Sequence, residues 1–257
     1  MIGDTSPLVT GGSPSGRPTI GGVLFELRSA QKPGTGVPAY TRWLNRRAAR
    51  LAAAVAVRMG FSPNTVSAIS AAFSIVAIVV LLLSPVSVVT GLVVAGLLAV
   101  GYCLDSADGQ VARVTGTGSP AGEWLDHVID AARTPAIHLA VYLALSSAAL
   151  VPVWVPYVAL GFVVLSASQF MSQILAEQLR KSAVNSVQQT KAVAAERGAK
   201  DVLRSLVLLP TDSGTLCWIF ILWGFPHVFA FAYVALCIIN SFVAALSMRR
   251  KYLALSR

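Results

Sequence analysis

Charge is what this chain has least of. Only 12% of its 257 residues are Asp, Glu, Lys or Arg, whereas 55% are hydrophobic and the mean hydropathy is +0.70. A soluble domain carries about 25% charged residues. Too little polar surface exists to cover a water-soluble globule, so the surplus apolar surface must meet lipid and length does not count soluble domains. Cysteine is scarce as well. Cys103, Cys217 and Cys237 lie in apolar stretches without a CxxC spacing, which excludes a zinc framework and reads as small buried hydrophobes. The N-terminus lacks the basic start and apolar core of a cleaved signal. Rich in Gly, Ser, Thr and Pro, residues 1–22 are expected to form a disordered tail.

What is present is a series of long apolar segments. Six run at roughly 64–84, 86–107, 123–149, 152–176, 205–224 and 226–247, each near the ~20 residues that span a bilayer. Ser84-Pro85, Val151-Pro152 and Phe225-Pro226 interrupt neighbouring segments with very short connections. Ser62-Pro63 and Ser119-Pro120 each set a capping residue before a proline, a helix-start signal. The expected fold is all-α: residues 60–250 form one integral membrane domain of six transmembrane helices.

The basic residues orient it. Eight of the 20 Lys and Arg precede the first span, six lie between or at the edges of spans four and five, and four follow the sixth. The three short connections on the other face have none. By the positive-inside rule both termini are cytoplasmic, in a multi-pass protein of the cell membrane. Within the juxtamembrane segment 23–59, Tyr40, Trp43, Leu44, Leu51 and Val55 approximate an apolar face, and Arg42, Arg46, Arg47 and Arg50 a basic one. That pattern suits an N-terminal amphipathic helix lying in the interface against anionic membrane lipids. Topology and the membrane surface thus account for the net charge of +9, and no nucleic-acid partner is implied.

The acidic residues are the informative ones. There are 11 in the chain, and Asp105, Asp108, Glu123, Asp126 and Asp130 fall within 26 positions. Intramembrane carboxylates are costly, rare and usually functional. Asp105 and Asp108, at i,i+3, share one face at the end of the second span; Asp126 and Asp130, at i,i+4, share one face at the start of the third. The connection between them contains Gly116, Gly118 and Pro120 and must reverse the chain. Two antiparallel helices would then set four carboxylates opposite one another. Four such groups cannot all ionise unaided in a low-dielectric pocket. One or two divalent cations remove the conflict, and oxygen-only ligation points to Mg²⁺ or Mn²⁺. Gly109, where a backbone can approach a ligand, and Arg113, which can fork onto a pyrophosphate, point to phosphate chemistry.

The stretch Asp105-x2-Asp108-Gly109-x2-Ala112-Arg113-x8-Gly122-x3-Asp126-x3-Asp130 resembles the complete signature of the CDP-alcohol phosphotransferase family. With the six-span layout, the resemblance covers about residues 38–250. It implies that Asp105, Asp108 and Asp126 bind a metal pair, and that Asp130 contributes to it and acts as general base on an acceptor hydroxyl. It implies that Gly109, Ala112, Arg113 and Gly122 hold the CDP moiety, with Asn64 and Thr65 from the start of the first span and Ser119 from the turn. The reaction implied is metal-dependent transfer of a phosphoalcohol group, phosphatidyl above all, from a CDP-alcohol such as CDP-diacylglycerol to a hydroxyl, releasing CMP. A homodimer is also implied. Members share the CDP-binding half and differ in the alcohol.

Two other readings stand beside this one: transfer of a soluble alcohol phosphate from its CDP donor, and a carboxylate-lined divalent-metal transporter. Arg133, at i+3 from Asp130, reads first as its ion-pair partner and second as a contact for an acceptor's phosphate. Glu123 suits the helix dipole better than the metal. His127 adjoins Asp126 but is expected to face elsewhere, and His138 and His227 read as packed or interfacial. Asp212 either reaches the polar cavity or caps its own helix. The linker from Glu177 to Arg204 reads as a solvated helical extension of span four, or as a surface for anionic headgroups.

Overall fold

A computed structural model of the chain describes residues 19–29, 36–184 and 199–256. Of the tail expected at 1–22, residues 1–18 lie outside the described residues and Ile20 already opens a helix; of the linker expected from Glu177 to Arg204, residues 185–198 lie outside them. All the described elements are helical, and no strand occurs among them. Two short helices, α1 (Ile20–Ser29) and α2 (Arg46–Met59), precede four long ones: α3 (Pro63–Leu83), α4 (Val88–Thr115), α5 (Pro120–Ala148) and α6 (Trp154–Val184). Then come α7 (Ala199–Val207), α8 (Ser213–Ile219) and the long α9 (Pro226–Leu255). Neither α1 nor the π-helical turn Thr41–Asn45 that leads into α2 was legible as a separate element.

The expected starts are realised by capping. The side chains of Ser62, Ser87 and Ser119 each accept a bond from the backbone N–H three residues on, with Pro63 and Pro120 in the first turns. Helix α4 ends at Gly116, whose φ of +67° closes the turn into α5 at no steric cost.

Five helices, α3 to α6 and α9, are long and apolar enough to cross a membrane. The segment expected at 205–224 differs. Pro210 and Asp212 break it, and its apolar part, Ser213–Gly224, is α8 followed by a 3₁₀ stretch from Phe220 to Gly224. Proline lacks the N–H needed to continue the upstream helix, and Asp212 caps the new one by accepting from Gly214 N at 3.0 Å. The result spans roughly 20 Å, short of the ~30 Å hydrocarbon core.

Helices α3 and α4 pack closely, α5 packs on α6, and α3 also contacts α5. Direct contact between α4 and α5 is slight. The two aspartate-bearing helices therefore meet through α3, not along a shared seam, and a cleft opens between them. Below the cleft the core is apolar and aromatic, with Phe220, Trp223, Phe229 and Tyr233 fully buried. At the other end α1 and α2 pack behind the aspartates: Ala49, Ala53 and Ala54 of α2 join Ala107 and Val111 of α4. Small residues permit that close approach. The bulky apolar residues of the juxtamembrane segment, Leu44, Leu51 and Val55, point outward.

Candidate functional site

Three of the four signature aspartates converge. Asp105, Asp108 and Asp126 each offer a carboxylate oxygen within 4.8 Å of the others. Asp108 is the buried member; Ser67 of α3 donates its hydroxyl to one oxygen, and the Gly109 backbone N–H donates to the other. Hard divalent cations bind oxygens at about 2.0–2.6 Å, so two ligands of one ion lie at most ~5 Å apart. The spacing and the all-oxygen donor set both fit such an ion.

Asp130 lies outside that group. Its Oδ1 accepts from Arg133 Nη1 at 3.1 Å, and the same nitrogen donates to Asp105 Oδ1 at 2.7 Å. Arg133 Nη2 donates to Ser70 at 2.9 Å. Of the two readings of Arg133, the ion pair is the one this geometry shows. One buried guanidinium thereby ties α3, α4 and α5 together beside the carboxylates.

A cavity of about 570 Å³ opens from Asp108 and Asp126 toward the α4–α5 turn. Asn64, Gly109, Ala112, Arg113, Ser119 and Gly122 all line it. Gly122 leaves room for its neighbours, because a Cβ there would sit 3.0 Å from the Asn64 side-chain oxygen and 3.3 Å from the Ser119 hydroxyl, so those side chains would have to shift. Thr65 does not line the cavity. Its hydroxyl lies 2.8 Å from the Ser62 hydroxyl, within the cap of α3.

The cavity wall also contains residues the sequence reading passed over. Ser67 follows Asn64 by one turn, a spacing that could have revealed it. Glu177 reaches the wall because α6 continues past the apolar span to Val184, as the helical extension expected from Glu177 onward would. His127 corrects an expectation: it faces the cavity, with ring nitrogens 3.9 Å from both Asp126 and Glu123. With about 100° between successive residues, neighbours on a helix can both border one wide opening.

On the far side of Asp130 lies a second cavity, of about 230 Å³, between α5, α6, α8 and α9. Asp212 satisfies both of its alternatives, since it caps α8 and also borders this space. Its carboxylate further accepts from the Thr41 N–H and hydroxyl, both at 2.8 Å, clipping the juxtamembrane segment to the site. His138 is packed as expected, stacked on Phe162 and bonded through Nδ1 to Tyr233 at 2.6 Å. The polar lining, Ser166, Gln169 and Gln173 on one face of α6 and Asn240 on α9, went unremarked in the sequence. Amides recurring at helical spacing inside apolar spans were the available signal.

A family model described as CDP-alcohol phosphatidyltransferase matches residues 61–243, which contain every residue of both cavity walls. No curated protein matches the chain.

Proposed function

Since the chain belongs to the CDP-alcohol phosphatidyltransferase family, we propose that it transfers a phosphatidyl group from a CDP-alcohol to a hydroxyl acceptor in phospholipid synthesis. The observation that carries this reading is the aspartate triad, two of whose members, Asp108 and Asp126, line a cavity that also presents Arg113. The cofactor this reading calls for is Mg²⁺ or Mn²⁺, two ions that Asp105, Asp108 and Asp126 would hold, with Asp130 contributing. Bound there, the metal supplies positive charge against the donor's diphosphate and the developing charge of the leaving phosphate.

The chain's own residues supply the rest. Arg113 orients the diphosphate, and Gly109 and Gly122 let it approach the backbone. Asn64 and Ser119 present polar atoms to the nucleoside end. The acceptor oxygen bonds to the phosphorus bearing the alcohol as that phosphorus leaves the bridging oxygen of CMP. The acceptor's proton passes to a carboxylate oxygen of Asp130. Arg133 holds the other oxygen of that carboxylate, fixing its position.

The reading places the site and both termini on the cytoplasmic face of the cell membrane, in a homodimer. Cysteines introduced at positions 40 and 85 should label from opposite sides, and labelling of both from one side would overturn that orientation. The reaction itself is tested by CMP release from CDP-diacylglycerol in lipid nanodiscs. Release should require Mg²⁺ or Mn²⁺; release undiminished in excess chelator would remove the metal-carboxylate argument.

A further inference from the structure

The cavity beyond Asp130 has a chemistry unlike the first. Its polar wall is made of amides and hydroxyls: Thr134, Ser166, Gln169, Gln173, Ser213 and Asn240. Both of its charged members, Asp130 and Asp212, are carboxylates, and neither lysine nor arginine lines it among the described residues. Gln169 and Gln173 have no hydrogen bond to any described residue. His138, fully buried, also borders the space, and its Nε2 has no partner. Donors and acceptors are therefore presented together without net positive charge.

A cation, Arg133, lies in an adjoining recess of about 150 Å³ that shares Asp130 and Thr134 with the cavity. Two carboxylates and Ser70 already engage it. A guanidinium so matched has little charge left for a phosphate. Nor does the cavity suit an ammonium. Asp212 already accepts three hydrogen bonds from Thr41 and Gly214, and Arg133 takes one oxygen of Asp130 while the reaction uses the other.

Resting on the function proposed above, we propose that this cavity is the acceptor subsite, and that it takes an uncharged, hydroxyl-rich head group. A hydroxyl both donates and accepts, as a primary amide does, so Gln169, Gln173 and Asn240 suit a polyol. A phosphorylated polyol would bring two negative charges beside two carboxylates in a cavity that no described lysine or arginine lines, at a large desolvation cost. Asp130 borders both the recess and the cavity, which puts the proton acceptor at the reacting end of such a molecule.

Charge selectivity can be read without knowing the acceptor. The full chain carrying Gln169→Cys or Gln173→Cys is treated with uncharged, sulfonate and quaternary-ammonium methanethiosulfonates of similar size. Rates are corrected for the unmodified chain and normalised to Ser256→Cys at the exposed C-terminal end. The sulfonate should label at least ~10-fold more slowly than the uncharged reagent, the scale on which single-sign clefts bias encounter. A sulfonate as fast as the uncharged reagent overturns the proposal. An ammonium faster by that margin overturns it in favour of an amino alcohol.

A second arm follows CMP release from CDP-diacylglycerol with Mn²⁺, using glycerol against glycerol phosphate and inositol against inositol phosphate. Greater release with the uncharged partners supports the subsite; greater release with the phosphates overturns it. Absent CMP binding and absent release with every acceptor would instead count against the transferase reading. The labelling rates report on the cavity in either case.

Discussion

The two sides of the aspartate centre differ in how they are built. The larger cavity is assembled almost wholly from residues 63–127, on α3, α4 and the start of α5, with Glu177 the one outlier. Small residues, the hydroxyls of Ser67, Thr117 and Ser119, four carboxylates and Arg113 are among the groups that make its wall. The smaller cavity draws on α5, α6, α8 and α9, from Asp130 to Asn240, and its wall is amide, hydroxyl and carboxylate. A diphosphate and its cations demand charge and close backbone approach at fixed distances, and short sequence spacings along two helices can supply both. A hydroxyl acceptor demands only a complementary polar surface, and four separate helices can contribute to that in many ways. The contrast explains why a signature marks one side and none marks the other.

The strongest way to break this comparison is at the triad. Asp105→Asn, Asp108→Asn and Asp126→Asn each remove a charged ligand from the group of converging oxygens. Loss of metal charge stabilisation is worth several kcal/mol, so CMP release should fall by roughly 10³-fold or more. Mn²⁺ binding, measured by electron paramagnetic resonance, should weaken in parallel. A variant that binds Mn²⁺ as the unmodified chain does would take its aspartate out of the metal centre.

Asp130→Asn addresses the border between the two sides. Proton removal depends on a carboxylate at this position, whereas CDP binding depends on the triad and Arg113. Turnover should drop ~10²–10⁴-fold, the usual cost of losing a general base, while CMP affinity by calorimetry and at least one bound metal persist. Calorimetry is needed because Arg133 loses an ion-pair partner in this variant and could disturb Asp105. Normal turnover with normal CMP binding would mean that another group takes the proton.

Legibility in the sequence followed the same division. Asp105, Asp108 and Asp126 could be placed from spacing alone, because helix periodicity converts i,i+3 and i,i+4 into a shared face; Gly109 and Arg113 stood out by their chemistry beside them, and Gly122 only by resemblance to the family's signature. The helix starts at Pro63 and Pro120 were written in their serine caps. Three things were not legible. The short α8 arises from competition between an apolar run and two local breakers, Pro210 and Asp212, and hydropathy averages over both. The packing of Ala49, Ala53 and Ala54 against α4 involves a partner that periodicity does not name. The position of His127 depended on the width of the opening between α4 and α5, which slight direct contact between those helices leaves broad.

The smallest expected effect separates scaffolding from recognition on the CDP side. Ser119 and Ser87 perform the same structural task. Each caps a long helix, α5 or α4, by accepting from the backbone N–H three residues on at 3.1 Å. Alanine at either position removes a cap worth typically ~1 kcal/mol, so thermal unfolding of the two variants should shift by similar small amounts. They differ in location, since Ser119 lines the larger cavity and Ser87 lines neither. Ser119→Ala should therefore also weaken CMP binding by up to ~10-fold, the scale of one lost hydrogen bond, while Ser87→Ala leaves it unchanged. Ser87→Ala thus serves as the stability control that Ser119→Ala needs. Equal CMP affinity in both would reduce Ser119 to a cap and leave Asn64, Arg113 and the glycine backbone to hold the donor. Equal loss in both would show that helix capping reaches the cavity indirectly, through the placement of α4 and α5.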